Sequence, residues 1–189
     1  MRAFPLKVYY NLTPNNMRTI TQNIYSLSEL SKEARQKAIK VEREDVNENG
    51  LYFLNEDLTE QCKEKLKLND IEGEPRLYYS LNYCQGDGIM FEGSFYWKGF
   101  SITIKQSGHY YHSNSKEIDI IDSSKDDYTQ ANKEVYEEFK NIYQAICEEL
   151  EKTGYAEIEY ENENNTIIER FNDSNAEFFK DGIRYFESL

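Results

Sequence analysis

Hydrophobic and polar positions along this chain recur at two periods, and each change of period marks an element. In AFPLKVYYNL (residues 3–12), Val8 and Tyr10 alternate with Lys7 and Tyr9, which predicts a strand. Thr13-Pro14-Asn15-Asn16 predicts a turn, and Arg18–Tyr25 alternates enough for a second strand. The period then lengthens. Leu30, Ala34, Ala38, Ile39, Val41 and Val46 form an apolar stripe at helical spacing, predicting a helix over 28–48. Ser28 or Ser31 can cap it, and Ser26 with Glu29 has capping-box spacing. Asn49-Gly50 stops it. Leu51, Leu54, Leu58, Cys62 and Leu66 step by three or four, predicting a second amphipathic helix over 51–68.

The period returns to two after a polar linker, Asp70–Pro75. Strands are predicted at 76–84, 89–97, 100–107 and 109–121, with tight turns at Gln85-Gly86-Asp87-Gly88, Lys98-Gly99 and Ser107-Gly108. Gly93 is a candidate bulge. A second polar linker, Ser123–Tyr128, leads to a helix over 129–152, whose stripe is Val135, Phe139, Ile142, Ile146 and Leu150. At Gly154 two readings remain. AEIEYENE (156–163) alternates like a strand with Glu157, Glu159, Glu161 and Glu163 on one face, about 7 Å apart. Alternatively, Ile146, Leu150, Gly154 and Ile158 keep a spacing of four and continue the helix at a cost of about 1 kcal/mol for the interior glycine. Thr166 with Glu169 has capping-box spacing for a short helix over 167–172, and Phe178–Phe186 reads as a hairpin turning at Asp181-Gly182.

These elements predict an α+β fold: an antiparallel sheet of about four to six strands, packed by two N-terminal helices and one long C-terminal helix. The expected organisation is a single domain over 1–189, with a helical pair at 28–68, the sheet at 76–121 and an acidic helical region at 129–173.

Composition changes the picture in two respects. Aromatic residues make up 14% of the chain, enough for a packed core despite 30% charged residues. Net charge is −13 and unevenly spread. Residues 1–69 are nearly neutral at +1, whereas 70–129 carry −5 and 130–175 carry −8. Such a surface repels phosphate backbones and attracts basic proteins, so direct nucleic-acid binding is not expected. Cys62, Cys84 and Cys147 are too few and too widely spaced for a disulfide framework or a zinc site. With no apolar leader or 18-residue apolar run, the expected location is the host cytoplasm, without a membrane.

Asp87 between Gly86 and Gly88 reads as turn chemistry, or as a metal ligand or general base at a strand end. His109 and His112, three apart on a strand, point to opposite faces and cannot share one ion, although one of them could pair with Asp87 or Glu92 and serve as an acid or base. The aromatic residues of 77–121 have few Lys or Arg companions, so they suit core packing and a protein-binding face better than base stacking. No Gly-rich phosphate loop, GxSxG elbow or HExxH motif is present. No metal and no cofactor are expected. The residues expected to meet a partner are Glu148, Glu149, Glu151, Glu157, Glu159, Glu161 and Glu163, together with Tyr96, Trp97 and Tyr110.

Four segments, YSLSELSKEARQKAI (25–39), CQGDGIMFEG (84–93), SGHYYHSNS (107–115) and NAEFFKDGIRY (175–185), resemble in content and order a family of small phage and prophage proteins. That family shows ELS-x-EA, QGDG, GxYYH and F-x-x-DG motifs, and some members are labelled antitoxins of toxin–antitoxin systems. Cys84 and Ile89-Met90 stand where the family pattern has smaller residues. The resemblance implies a mobile-element origin and a helical continuation past Gly154. Combined with the acidity, it leads to a non-enzymatic expectation: an inhibitor that mimics nucleic acid and binds a host nucleic-acid-handling defence complex, in the manner of an anti-CRISPR protein. The alternatives are an antitoxin against a basic toxin and a small nuclease-type enzyme using Asp87, His109 or His112.

Overall fold

The computed structural model describes residues 6–11, 17–49, 53–124 and 129–186. The fold is α+β, with four helices and antiparallel sheets. The chain divides into two compact units, one made of residues 1–50 and 160–189 and the other of Leu51–Glu159.

The second unit contains the sheet that the sequence predicts. β4 (Glu72–Gly73) and β5 (Arg76–Ser80) both pair with β6 (Gly88–Trp97), in one continuous register from Glu72↔Tyr96 to Ser80↔Gly88. They form one edge strand interrupted at Glu74-Pro75, because proline has no N–H to give the ladder. Glu72-Gly73 thus belongs to the sheet rather than to a linker. β6 continues through a hairpin at Lys98-Gly99 into β7 (Phe100–Gln106), and β7 pairs with β8 (Lys116–Asp122). The predicted strand over 109–121 therefore starts only at Lys116.

Two helices cover this sheet. α2 (Leu54–Leu68) contributes Leu54, Leu58, Cys62 and Leu66 of the predicted stripe, each buried, while Leu51 lies outside the described residues. α3 (Lys133–Glu161) contributes Phe139, Tyr143, Ile146, Cys147 and Leu150. They meet Ile89, Phe91, Phe95, Trp97, Ile102, Ile104 and Ile120 from the sheet. The open choice at Gly154 resolves as helix. Gly154 is buried, and a Cβ there would lie 2.5 Å from Leu81 Cδ1, so packing explains the residue that propensity disfavours.

β7 pairs with β6 only from Gly93 onward, which leaves the nearer half of β6 without a ladder partner on that side. Tyr143 fills the gap. Its hydroxyl accepts from the Phe91 N–H at 3.3 Å and donates to the Phe91 carbonyl at 3.2 Å. A buried strand edge cannot leave both groups unpaired without a cost of kcal/mol scale. Burial pushes the Tyr143 hydroxyl far above the ordinary phenol range, so it remains a neutral donor.

In the first unit β1 (Leu6–Asn11) and β2 (Met17–Gln22) pair antiparallel. The turn predicted at Thr13–Asn16 lies outside the described residues, as does Gly50. β3 (Tyr25–Ser26) leads into a 3-10 turn at Leu27–Glu29. The Glu29 carboxylate accepts from the Ser26 N–H at 2.9 Å, while Ser31 caps α1 (Lys32–Asn49) by accepting from the Ala34 N–H at 3.2 Å. Leu30, Ala34, Ala38 and Ile39 of this first helical stretch pack with Ile167 and Phe171 of α4 (Asn164–Asp173) and with Phe178. α4 starts three residues before the predicted helix. Glu163 occupies its N-cap, so Thr166 and Glu169 form no capping box there.

β9 (Glu177–Phe178) and β10 (Arg184–Tyr185) form the predicted terminal hairpin, and β9 also pairs with β3. Gly182 has φ +85°, and a Cβ there would fall 2.1 Å from the Ala34 carbonyl oxygen, so only glycine fits this turn against α1. Arg170 holds Glu42 at 3.2 Å and also pairs with Glu161, and Arg184 reaches Glu42 at 3.6 Å.

Candidate functional site

The Asn82–Gly88 loop brings both sequence motifs against α3. Its centre is the Asp87 carboxylate. Oδ1 accepts from Ser80 Oγ at 2.8 Å and from the Cys84 thiol at 3.1 Å. Oδ2 accepts from the Asn82 N–H at 2.6 Å, the Cys84 N–H at 2.9 Å and the Tyr155 hydroxyl at 2.9 Å. A carboxylate has about four lone-pair sites, so five donors occupy it fully. Burial alone would raise its pKa, but the bonds from Cys84, Ser80 and Tyr155 outweigh it and hold the group far below the usual carboxylate range. Such a carboxylate is a poor proton acceptor. Asp87 acts as a clip that ties the end of β5, the loop and α3 together.

The two glycines flanking Asp87 give way to the His109-Tyr110-Tyr111-His112 segment. A Cβ on Gly86 would fall 2.4 Å from Tyr110 Cδ1, and one on Gly88 would fall 2.5 Å from His112 Cβ and 3.4 Å from Glu151 Oε2. The segment is a loop, not the predicted strand. It is closed by a bond from the Ser107 N–H to the Ser115 carbonyl at 2.9 Å. Strand geometry therefore does not separate the two histidines; the loop does. His112 lies against Gly88 and stacks on Tyr110 at 6.1 Å, while His109 is exposed. His112 Nδ1 accepts from the Asn114 N–H at 3.1 Å, which places the proton of the neutral ring on Nε2. Tyr111 turns the other way and stacks on Tyr78 at 5.6 Å.

Neither histidine bonds Asp87 or Glu92. Glu92 instead accepts from the Tyr78 hydroxyl at 2.7 Å and pairs with Arg76 at 3.7 Å. The carboxylate beside His112 is Glu151. Burial, then the charges of Asp87 and Glu148, raise its pKa above the ordinary value, with His112 opposing them. Among the described residues no group of three or more His, Cys, Asp or Glu could hold a metal ion.

The residues expected to meet a partner separate into groups. Glu148, Glu151, Tyr155 and Glu159 follow one another at steps of three and four along α3, so they share a face. Tyr83, at φ +56°, lays its ring 4.7 Å from Tyr155 and sends its hydroxyl to Glu159 at 3.3 Å. Tyr110 and Tyr96 are exposed. Trp97 is a correction: at 1% exposure its ring packs 5.4 Å from Phe139 in the core and offers nothing to a partner. Glu149 is paired with Lys65, and Glu161 with Arg170. Because α3 is helical to Glu161, Glu157, Glu159 and Glu161 do not form the single row that a strand would give. Glu163 sits beyond α3 as the N-cap of α4.

The sequence did not reveal Tyr155 or Tyr83 as parts of this cluster. The available signal was the spacing Glu151–Tyr155–Glu159, which becomes informative once the helix is extended through Gly154.

No protein-family model, curated protein or solved structure matches this chain. Among the described residues no helix is long and apolar enough to cross a membrane.

Proposed function

We propose that the chain is a non-enzymatic inhibitor whose acidic second unit occupies a basic, nucleic-acid-binding surface of a host defence complex. The observation that carries this reading is the segregation of charge. Leu51–Glu159 holds 22 acidic against 11 basic side chains, net −11 of the total −13. On α3, Glu148, Glu151 and Glu159 line one face, with aromatic rings beside them. Carboxylates repeating along a rigid helix resemble the charge of a nucleic-acid strand, and tyrosines supply contact area with polar tips. The saturated Asp87 argues against the alternative in which this carboxylate serves as a catalytic base. The resemblance to phage and prophage proteins supports a mobile-element setting.

The test is calorimetric titration of the full chain against purified defence nucleases, RNA-guided effectors among them. Binding that weakens steeply between about 50 and 200 mM salt supports the reading. Absence of binding to every complex sinks it. The resemblance also favours a second reading, an antitoxin. A basic toxin encoded next to this gene, neutralised on co-expression, would select it instead.

A further inference from the structure

We infer that the patch formed by Tyr83, Tyr110, Tyr155, Glu151 and Glu159 receives an arginine side chain from a basic segment of the partner. This inference rests on the reading above and narrows it to one place and one side-chain chemistry.

All five residues surround the Asn82–Gly88 loop. Tyr155 bonds its Asp87, Tyr83 belongs to it and bonds Glu159, and Tyr110 and Glu151 lie against its glycines. The rings are available: Tyr83 is 63% exposed and Tyr110 56%. Elsewhere in this unit three aromatic faces already carry a cation from the chain itself. Arg76 lies 5.1 Å from the Tyr78 ring, Lys98 4.6 Å from Trp97 and Lys116 4.6 Å from Tyr143. Among the described residues, no Lys or Arg covers Tyr83, Tyr110 or Tyr155. Glu151 has no hydrogen bond or ion pair among them either, although burial and the nearby charges of Asp87 and Glu148 disfavour its ionised form. Exposed tyrosine rings beside carboxylates that have no ion pair among the described residues are complementary to a planar guanidinium, which stacks on a ring and forks onto a carboxylate. An ammonium ion offers a point charge without that plane.

The test is calorimetric titration of the full chain with an arginine nonamer and, separately, a lysine nonamer at equal salt. The arginine peptide is expected to bind about tenfold more tightly. Tyr83→Ala and Glu159→Gln should each weaken it about fivefold, while Tyr83→Phe should retain binding because the ring face survives. Glu56→Gln on α2 and Glu117→Gln on β8 remove the same charge from other elements and should change affinity by less than about twofold. Trp97 fluorescence identifies any variant that fails to fold, and Glu159→Gln, at a surface carboxylate, then carries the test. Equal affinity for the two peptides, no binding of either, or equal losses from all the Glu→Gln variants would overturn the inference. Site-specific peptide binding without binding to any defence complex would sink the broader reading and leave this one standing. Binding to a defence complex that does not depend on Tyr83 or Glu159 would do the reverse.

Discussion

The two units of this protein differ in charge balance. In the first, acids and bases nearly balance at net −2, and the half-buried carboxylates of Glu42 and Glu161 are held by Arg170 and Arg184. In the second, a large aromatic and aliphatic core supports the fold, and among the described residues carboxylates on α3 such as Glu148, Glu151 and Glu157 have no cationic partner within salt-bridge distance. The contrast shows that an acidic chain need not be acidic throughout. Both units use ion pairs, Arg170–Glu42 in the first and Lys65–Glu149 and Lys98–Glu138 in the second, but only the second carries a large excess of carboxylates. Where the core is large enough, the repulsion of the excess carboxylates can be tolerated.

The largest effect expected is in the first unit. Gly182→Ala forces a left-handed alanine onto the Ala34 carbonyl and should cost on the order of 3 kcal/mol. Hydrogen exchange should show α4 and β9 losing protection, while the buried Trp97 reports an unchanged second unit. Simultaneous collapse of both signals would break the distinction drawn here. Next is Tyr143→Phe, which removes the hydroxyl that bonds both the buried Phe91 N–H and its carbonyl. A loss of about 2 kcal/mol in denaturant unfolding followed by Trp97 is expected. A neutral result would mean that water or a shifted β7 replaces the hydroxyl.

Asp87→Asn comes third, at about 1–2 kcal/mol, because an amide meets the Ser80, Cys84 and Tyr155 donors with its own N–H groups. The pH dependence gives the sign. The folded pKa of Asp87 lies below its ordinary 3.8, so its contribution to stability is present above pH 3.8 and is lost as pH falls through the folded value. The wild type should therefore lose stability in strong acid, and the asparagine variant should lack that component. The smallest effect is Glu151→Gln. Its folded pKa is raised above 4.5, so its contribution is full below pH 4.5 and is lost as pH rises through the folded value. The variant should be slightly more stable than wild type at pH 7 and equal to it below pH 4.5. Destabilisation at pH 7 would show that Glu151 has a favourable partner.

Period and punctuation made the sheet legible: the Lys98-Gly99 hairpin, the α2 stripe and the terminal turn at Asp181-Gly182 all follow from local residues. Two features were not legible and a third was left open between strand and helix, each because a distant contact decides it. Glu72-Gly73 joins the sheet only because Phe95-Tyr96 provides the facing edge. Residues 109–115 leave strand geometry because Tyr110 and His112 pack on Gly86 and Gly88. The helix passes through Gly154 because Leu81 needs the space that a Cβ would take. The candidate site was half legible for the same reason. Asp87 and Glu151 could be named, but the alignment of Tyr83, Tyr155 and Glu159 depends on the path of α3 beyond Gly154.

The most direct test of the acidic face is competition with nucleic acid. Labelled duplex bound to a purified defence nuclease is titrated with this protein and with a Glu148→Lys, Glu151→Lys, Glu159→Lys variant, and release is read by fluorescence anisotropy. The expected result is displacement by the wild type and its loss in the variant, with both proteins giving the same Trp97 emission. Displacement by both alike, or by neither with any nuclease, would contradict it.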